Sequence, residues 1–168
     1  MYAPYVTDSV ASFEEQPPDA DEMTRRIELV SARYPWLVAE HDGTMAGYAY
    51  ASEHRERAAY RWAADVAVYI APSHHRRGIG RALYRALLEL LGRQGVQVAC
   101  AGIALPNDAS VALHEACGFE LVGVYHRIGW KAGAWWDVGW WELELIVPTD
   151  GPPPEPGPPA ELAEPVRL

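Results

Sequence analysis

Between His74 and Leu83 the chain reads HHRRGIGRAL, which sets four basic or imidazole side chains against two glycines at the entrance of a helix-forming segment. The first N–H groups of a helix have no partner inside it and carry partial positive charge, so such an entrance can hold an anion. Glycines at 78 and 80 remove the Cβ atoms that would keep a ligand off the main chain. The amides of Arg76, Arg77, Gly78, Ile79, Gly80 and Arg81 can then converge on one point. A pyrophosphate suits that arrangement; a cationic loop whose glycines only shape a turn suits it equally. Two better-known cradles are excluded by spacing. A dinucleotide fingerprint needs a third glycine where Leu83 stands, and a P-loop needs Gly-Lys-Ser/Thr, which is absent.

A strand must deliver this loop and a helix must receive it. WAADVAVYI, residues 62–70, reads as a long strand that Pro72 stops, since proline cannot donate to a ladder. Ile79, Leu83, Ala86, Leu87, Leu90 and Leu91 form one apolar stripe at helical spacing, and Gly95 closes that helix. Upstream, Asp19 or Asp21 caps a helix carrying Met23, Ile27 and Val30, with Pro35 beyond its end. WLVAEHDGTMAGYAYA is a pair of antiparallel strands turned at Asp42-Gly43. Downstream come a buried strand, VQVACAGIAL, and a short helix capped by Asn107 or Asp108 and closed by Gly118. The strands ELVGVYHRIG and VGWWELELIV follow, with WKAGAWWD expected as a crossing between them. The order is that of a mixed α/β layered domain.

At 168 residues, 49% apolar and 22% charged, the chain is expected to form one domain over residues 1–147. The proline-rich segment 148–168 lacks apolar periodicity and is expected to be a disordered tail. A net charge of −9 argues against a nucleic-acid partner. No apolar run reaches membrane-spanning length and the N-terminus does not read as a signal peptide, so a cytoplasmic location is expected. Cys100 and Cys117 have no metal-type spacing and read as buried thiols, so no metal site is expected.

YIAPSHHRRGIGRALYRALL resembles the acetyl-CoA loop of the GNAT acetyltransferases, Gln/Arg-x-x-Gly-x-Gly/Ala, with His75 at the Gln/Arg position. LPNDASVALHEACGFELVG is similar to the companion Asn-x-x-Ser-x-x-Leu-His-x-x-x-Gly-Phe motif of the branch that acetylates phosphinothricin, methionine sulfoximine and methionine sulfone. RYPWLVAE, AGYAYAS, RERAAYRW, SVASFEE and GWKAGAWWDVGWWELEL extend the resemblance from about Tyr5 to Ile146. It implies a GNAT fold of α+β type: a central mixed, mostly antiparallel twisted sheet flanked by helices, here without the strand that usually precedes the first helix.

The resemblance also implies a reaction and its residues. Acetyl transfer from a thioester to an amine needs a neutral nucleophile, a held carbonyl and a proton for the departing thiolate. Asp65 stands where the family carries a glutamate thought to serve as base, and burial would raise its pKa toward a useful range. A strand carboxylate paired with an arginine is the plainer reading. His114 matches the family's Leu-His and is a second base or a proton-path residue; a helix-surface histidine is equally consistent. Main-chain groups at Val68, Tyr69 and Ile70 are expected to receive the pantetheine arm by strand addition, and Asn107 to bond the cofactor arm unless it only caps a helix. Arg57 and Tyr60 match acceptor-pocket positions where a guanidinium fork suits a carboxylate or phosphinate. Phe13, Trp130 and Lys131 are further pocket candidates, although core packing explains the rings nearly as well. The implied activity is acetyl-CoA-dependent N-acetylation of a small amino-acid-like amine by direct attack in a ternary complex, by a homodimer. Acetylation of protein N-termini and CoA sensing without turnover are the alternatives.

Overall fold

The computed structural model describes residues 1–147 and 151–159. A short helix α1 (Ala3–Thr7) and a longer α2 (Ala20–Ser31) precede the hairpin β1 (Trp36–His41) and β2 (Thr44–Glu53). The long strand β3 (Ala63–Ile70) leads into α3 (Ile79–Gln94). Strand β4 (Val98–Leu105), helix α4 (Asp108–Ala116) and the hairpin β5 (Glu120–Lys131) and β6 (Ala134–Glu144) complete the chain. The strands form one sheet in the order β1-β2-β3-β4-β6-β5, antiparallel everywhere except between β3 and β4. This is the mixed, mostly antiparallel sheet that the sequence implied.

Helix α3 lies on β1, β2 and β3. Its apolar stripe is buried as the spacing predicts, with Leu87 and Leu91 fully excluded from solvent and Tyr84, not part of that stripe, buried beside them. The strands meet it with alanine: Ala46, Ala49, Ala51, Ala64 and Ala99 are fully buried. Small side chains let a helix settle close to a sheet, and each large residue so covered contributes about 1.5–3 kcal/mol. The turn and cap signals behave as their chemistry dictates. Asp19 accepts the Glu22 N–H at 2.8 Å, and Asp42 and Gly43 both take positive φ at the first hairpin. Gly95 and Gly118 take the left-handed conformation behind α3 and α4.

One expectation needs correction. WKAGAWWD is not a crossing: β5 and β6 run through it and turn at Ala132 (φ 51°) and Gly133 (φ 77°). An alanine in the left-handed region hides a tight turn that Asn-Gly or Asp-Gly would have announced. Part of the proline-rich segment makes contacts with the rest of the chain. Gly157 N–H donates to the Gln94 carbonyl at 2.8 Å, Trp62 Nε1 donates to the Pro154 carbonyl, and Arg61 pairs with Glu155 at 2.7 Å. The rest of that segment, 148–150 and 160–168, lies outside the described residues.

Candidate active site

Strands β3 and β4 are in register only over Ala63↔Val98, Ala64↔Ala99 and Asp65↔Cys100. Beyond Asp65, β3 stays paired with β2 as far as Ile70, and β4 stays paired with β6 as far as Leu105. Between them the sheet opens. Two hollows occupy the opening, of about 440 Å³ and about 540 Å³, and both are walled by Ala11, Val66, Ala67, Tyr69, Gly102 and Ala104. The two hollows therefore lie against the same wall.

The first hollow runs from the opening to the basic loop and is lined by Arg76, Gly78, Gly80, Arg81, Asn107 and His114, among others. Arg76 (φ 62°) and Gly78 (φ 80°), two residues apart, are both left-handed, and left-handed residues set among right-handed ones turn successive N–H groups to one side. Arg76, Arg77 and Arg81 are exposed and form no salt bridge among the described residues; Arg76 and Arg81 line the hollow and Arg77 does not. The two glycines have different tasks. Gly78 needs its φ, and a Cβ there would meet nothing within 4 Å. A Cβ on Gly80 would come within 3.1 Å of the Leu113 side chain, so Gly80 lets α3 and α4 pack closely. His75 anchors the loop, its Nε2 lying 3.0 Å from the Ile70 carbonyl and 3.2 Å from the Tyr5 hydroxyl.

Tyr5 reaches the end of β3. Its hydroxyl donates to the Ile70 carbonyl at 2.5 Å and accepts the Ile70 N–H at 3.3 Å, so both main-chain groups of Ile70 are engaged. Alternation along a strand then turns the main chain of Val68 toward the opening and that of Tyr69 toward β2. Val68 also lines the first hollow. Asn107 caps α4, its Oδ1 accepting the Ser110 N–H at 3.2 Å, while its amide nitrogen has no recorded partner among the described residues. His114 is buried at 4% exposure. Its Nδ1 donates to the Ser110 carbonyl at 2.7 Å, and its Nε2 accepts the Tyr84 hydroxyl at 2.8 Å. Burial holds this imidazole below the usual histidine range.

The second hollow is lined by Phe13, Tyr50, Ser52, Asp65, Tyr125 and Trp140, among others. Asp65 is its acid. Burial pushes the carboxyl above the usual carboxylate range, opposed by a hydrogen bond from His54, whose Nδ1 lies 2.6 Å from Asp65 Oδ1. His54 had not been singled out from the sequence. It follows β2 directly, and the register Ser52↔Asp65 brings it beside the carboxylate, so counting the pairing back from the hairpin would have found it. Cys100 is the third polar neighbour, its sulfur within 4.8 Å of both groups. Burial pushes the thiol up to about 11, so it remains protonated at neutral pH.

The remaining pocket candidates fall into two groups. Phe13 reaches the hollow, its ring over Gly129, where a Cβ would collide with it. Lys131 does not. Its Nζ donates to the carbonyls of Val6 at 2.6 Å and Ser12 at 2.5 Å, tying down the segment that carries Ala11 and Phe13. Tyr60 stands behind His54 with ring centroids 5.8 Å apart, and Arg57 is exposed, its side chain without a partner among the described residues. Trp130 packs edge-on against Trp135 on the outside of the last hairpin.

Comparison with known proteins agrees with this geometry. The acetyltransferase (GNAT) domain family matches residues 1–140. A phosphinothricin N-acetyltransferase of Streptomyces viridochromogenes is 41% identical over 152 residues, 90% of this chain and 81% of its own length. An L-methionine sulfoximine/L-methionine sulfone acetyltransferase of Pseudomonas paraeruginosa is 33% identical over 150 residues, 86% of each. The crystal structure of a GNAT superfamily phosphinothricin acetyltransferase from Sinorhizobium meliloti in complex with acetyl-CoA superposes with a TM-score of 0.84 at 36% identity, covering 89% of this chain and 85% of that one. With the opened sheet, the left-handed basic loop and these relatives in agreement, the chain belongs to the GNAT acetyltransferases.

Proposed function

We propose that this acetyl-CoA-dependent N-acetyltransferase acetylates the α-amine of a small amino-acid-like acceptor of the phosphinothricin, methionine sulfoximine or methionine sulfone type, with Asp65 as the base. The observation that carries the reading is the wall shared by the two hollows, with the part-buried Asp65 carboxylate lining the second. When bound, acetyl-CoA supplies the activated acetyl group that the amine takes. The amides and guanidinium groups between Arg76 and Arg81 would hold its pyrophosphate, and charge-assisted bonds of this kind contribute about 1.5–3 kcal/mol each. Val68 and Asn107 would hold the pantetheine arm. Asp65 takes a proton from the acceptor ammonium so that the nitrogen lone pair can attack the thioester carbonyl, and a carboxyl raised by burial suits this first transfer. As the amide forms the C–S bond breaks, and the departing thiolate is balanced by the second proton that the nitrogen releases. His114, with both ring nitrogens engaged, orients the Tyr84 hydroxyl at the groove wall and is not the base.

Phe13, Tyr50, Tyr125 and Trp140 line the second hollow with aromatic rings, which suits a small amino-acid-like acceptor. Arg57 and Tyr60 are read as acceptor contacts from the resemblance, although neither lines the second hollow, and Lys131 supports the segment that carries Phe13. The working form is read as a cytoplasmic homodimer. No helix among the described residues is long and apolar enough to cross a membrane, and Val122, Ile128, Trp130 and Trp135 of the last hairpin are each more than half exposed. Light scattering at micromolar concentration checks the dimer. CoA release measured with phosphinothricin, methionine sulfoximine, other free amino acids and N-terminal peptides checks the activity. Turnover on the free amino acids is expected; turnover on peptides alone, or none, would overturn the reading.

A further inference from the structure

The reading of Asp65 as base leaves a difficulty that His54 resolves. An aspartate is one methylene shorter than a glutamate and sits closer to its own strand, so its carboxylate needs outside help to present an oxygen to the acceptor. Asp65 is flanked by small or protonated neighbours: Ser52 across β2, and Cys100 across β4 with a thiol that does not ionise near neutral pH. The titratable and charged groups around it are His54 and Arg55 after β2, Tyr50 on β2, Tyr34 ahead of β1 and Cys100 on β4, with Glu142 of β6 acting on Cys100. Among the described residues only His54 is hydrogen-bonded to the carboxylate.

His54 is held for that task. Its side chain is 17% exposed against 30% for Asp65. Its ring is set edge-on to Trp140 at 6.0 Å and to Tyr60 at 5.8 Å, and the Arg55 guanidinium sits over the Trp140 ring at 5.6 Å. The imidazole is thus packed among aromatic side chains while Nδ1 meets Asp65 Oδ1, and Nε2 has no hydrogen-bond partner among the described residues. A donor fixed on one oxygen sets the carboxylate rotamer and leaves the other oxygen for the amine. It also favours the ionised carboxylate against the burial that opposes it.

We propose that His54 is the positioning residue of this acetyl transfer, its Nδ1–H fixing Asp65 Oδ1 so that Oδ2 faces the acceptor hollow. The proposal rests on Asp65 being the base, and the test separates the two. His54→Phe keeps the ring contacts to Trp140 and Tyr60 but loses the donor; His54→Asn puts an amide N–H where Nδ1 stands; His54→Gln places it one bond further out. Acetyl-CoA affinity by calorimetry shows that each variant is folded. In His54→Phe the acid limb of the kcat/KM profile should move up by about one pH unit, about a tenfold loss on the acid side. His54→Asn should restore most of that loss and His54→Gln little of it. An unmoved limb in His54→Phe, or equal behaviour of Asn and Gln, overturns the positioning role. If Asp65→Asn retains turnover, it is the base assignment that has failed instead.

Discussion

Tyr84 and His114 face each other at 2.8 Å in the wall of the first hollow, the hydroxyl donating to Nε2 while Nδ1 donates to the Ser110 carbonyl. Every hydrogen-bonding atom of this imidazole is used, and burial depresses its pKa. The unfolded chain therefore binds a proton at this histidine more readily than the folded one. Stability should be full above the ordinary imidazole range and fall as pH drops through it. Urea unfolding at pH 7.5 and pH 5.5 should give a lower midpoint at the acid pH, and His114→Gln should reduce the difference.

Gly78 and Gly80 should respond differently to alanine. Gly78→Ala forces a side chain into a left-handed position and should cost about 1 kcal/mol of stability and weaken acetyl-CoA binding with the loop. Gly80→Ala brings a methyl to 3.1 Å from Leu113, pushing α4 outward, and should reduce stability by about 1–3 kcal/mol. Thermal unfolding paired with calorimetry distinguishes them.

Lys131 supports the acceptor hollow from outside. Lys131→Met removes the donor from the Val6 and Ser12 carbonyls, which should cost about 1–3 kcal/mol and raise KM for the acceptor through Phe13. The Kd for acetyl-CoA should change less than about twofold. A rise in Kd with no change in acceptor KM would place the lysine's effect on the other hollow.

Gly129 is the seat of the Phe13 ring. Gly129→Ala should displace the ring and raise acceptor KM severalfold with stability little changed, because Phe13 is 39% exposed and can swing outward. Steady-state kinetics with one acceptor suffices.

The parts legible in the sequence were those that local chemistry dictates. Helix α3 followed from its stripe and Gly95, the first hairpin from Asp42-Gly43, and the loop from its glycines. The turn at Ala132-Gly133 was hidden because alanine does not advertise positive φ. His54 was hidden because it meets Asp65 only through the register of β2 on β3, eleven residues apart. Lys131 was read as a pocket residue, and its two carbonyl acceptors lie more than a hundred residues away, beyond any local pattern. Fold and cofactor loop are local properties of this chain; the surroundings of its acid are not.

The most direct measurement is the acetylation rate of Asp65→Asn set beside its affinity for acetyl-CoA. Asparagine is nearly the same size and cannot take the ammonium proton, so calorimetry should return an unchanged Kd while kcat falls by about 10²–10⁴. With Asp65 as the proposed base, the wild-type kcat/KM should rise with pH through a limb above the ordinary carboxylate range, since burial raises this carboxyl and a base must be ionised to take the proton. Turnover by Asp65→Asn within tenfold of the wild type, with the same pH limb, would contradict the assignment.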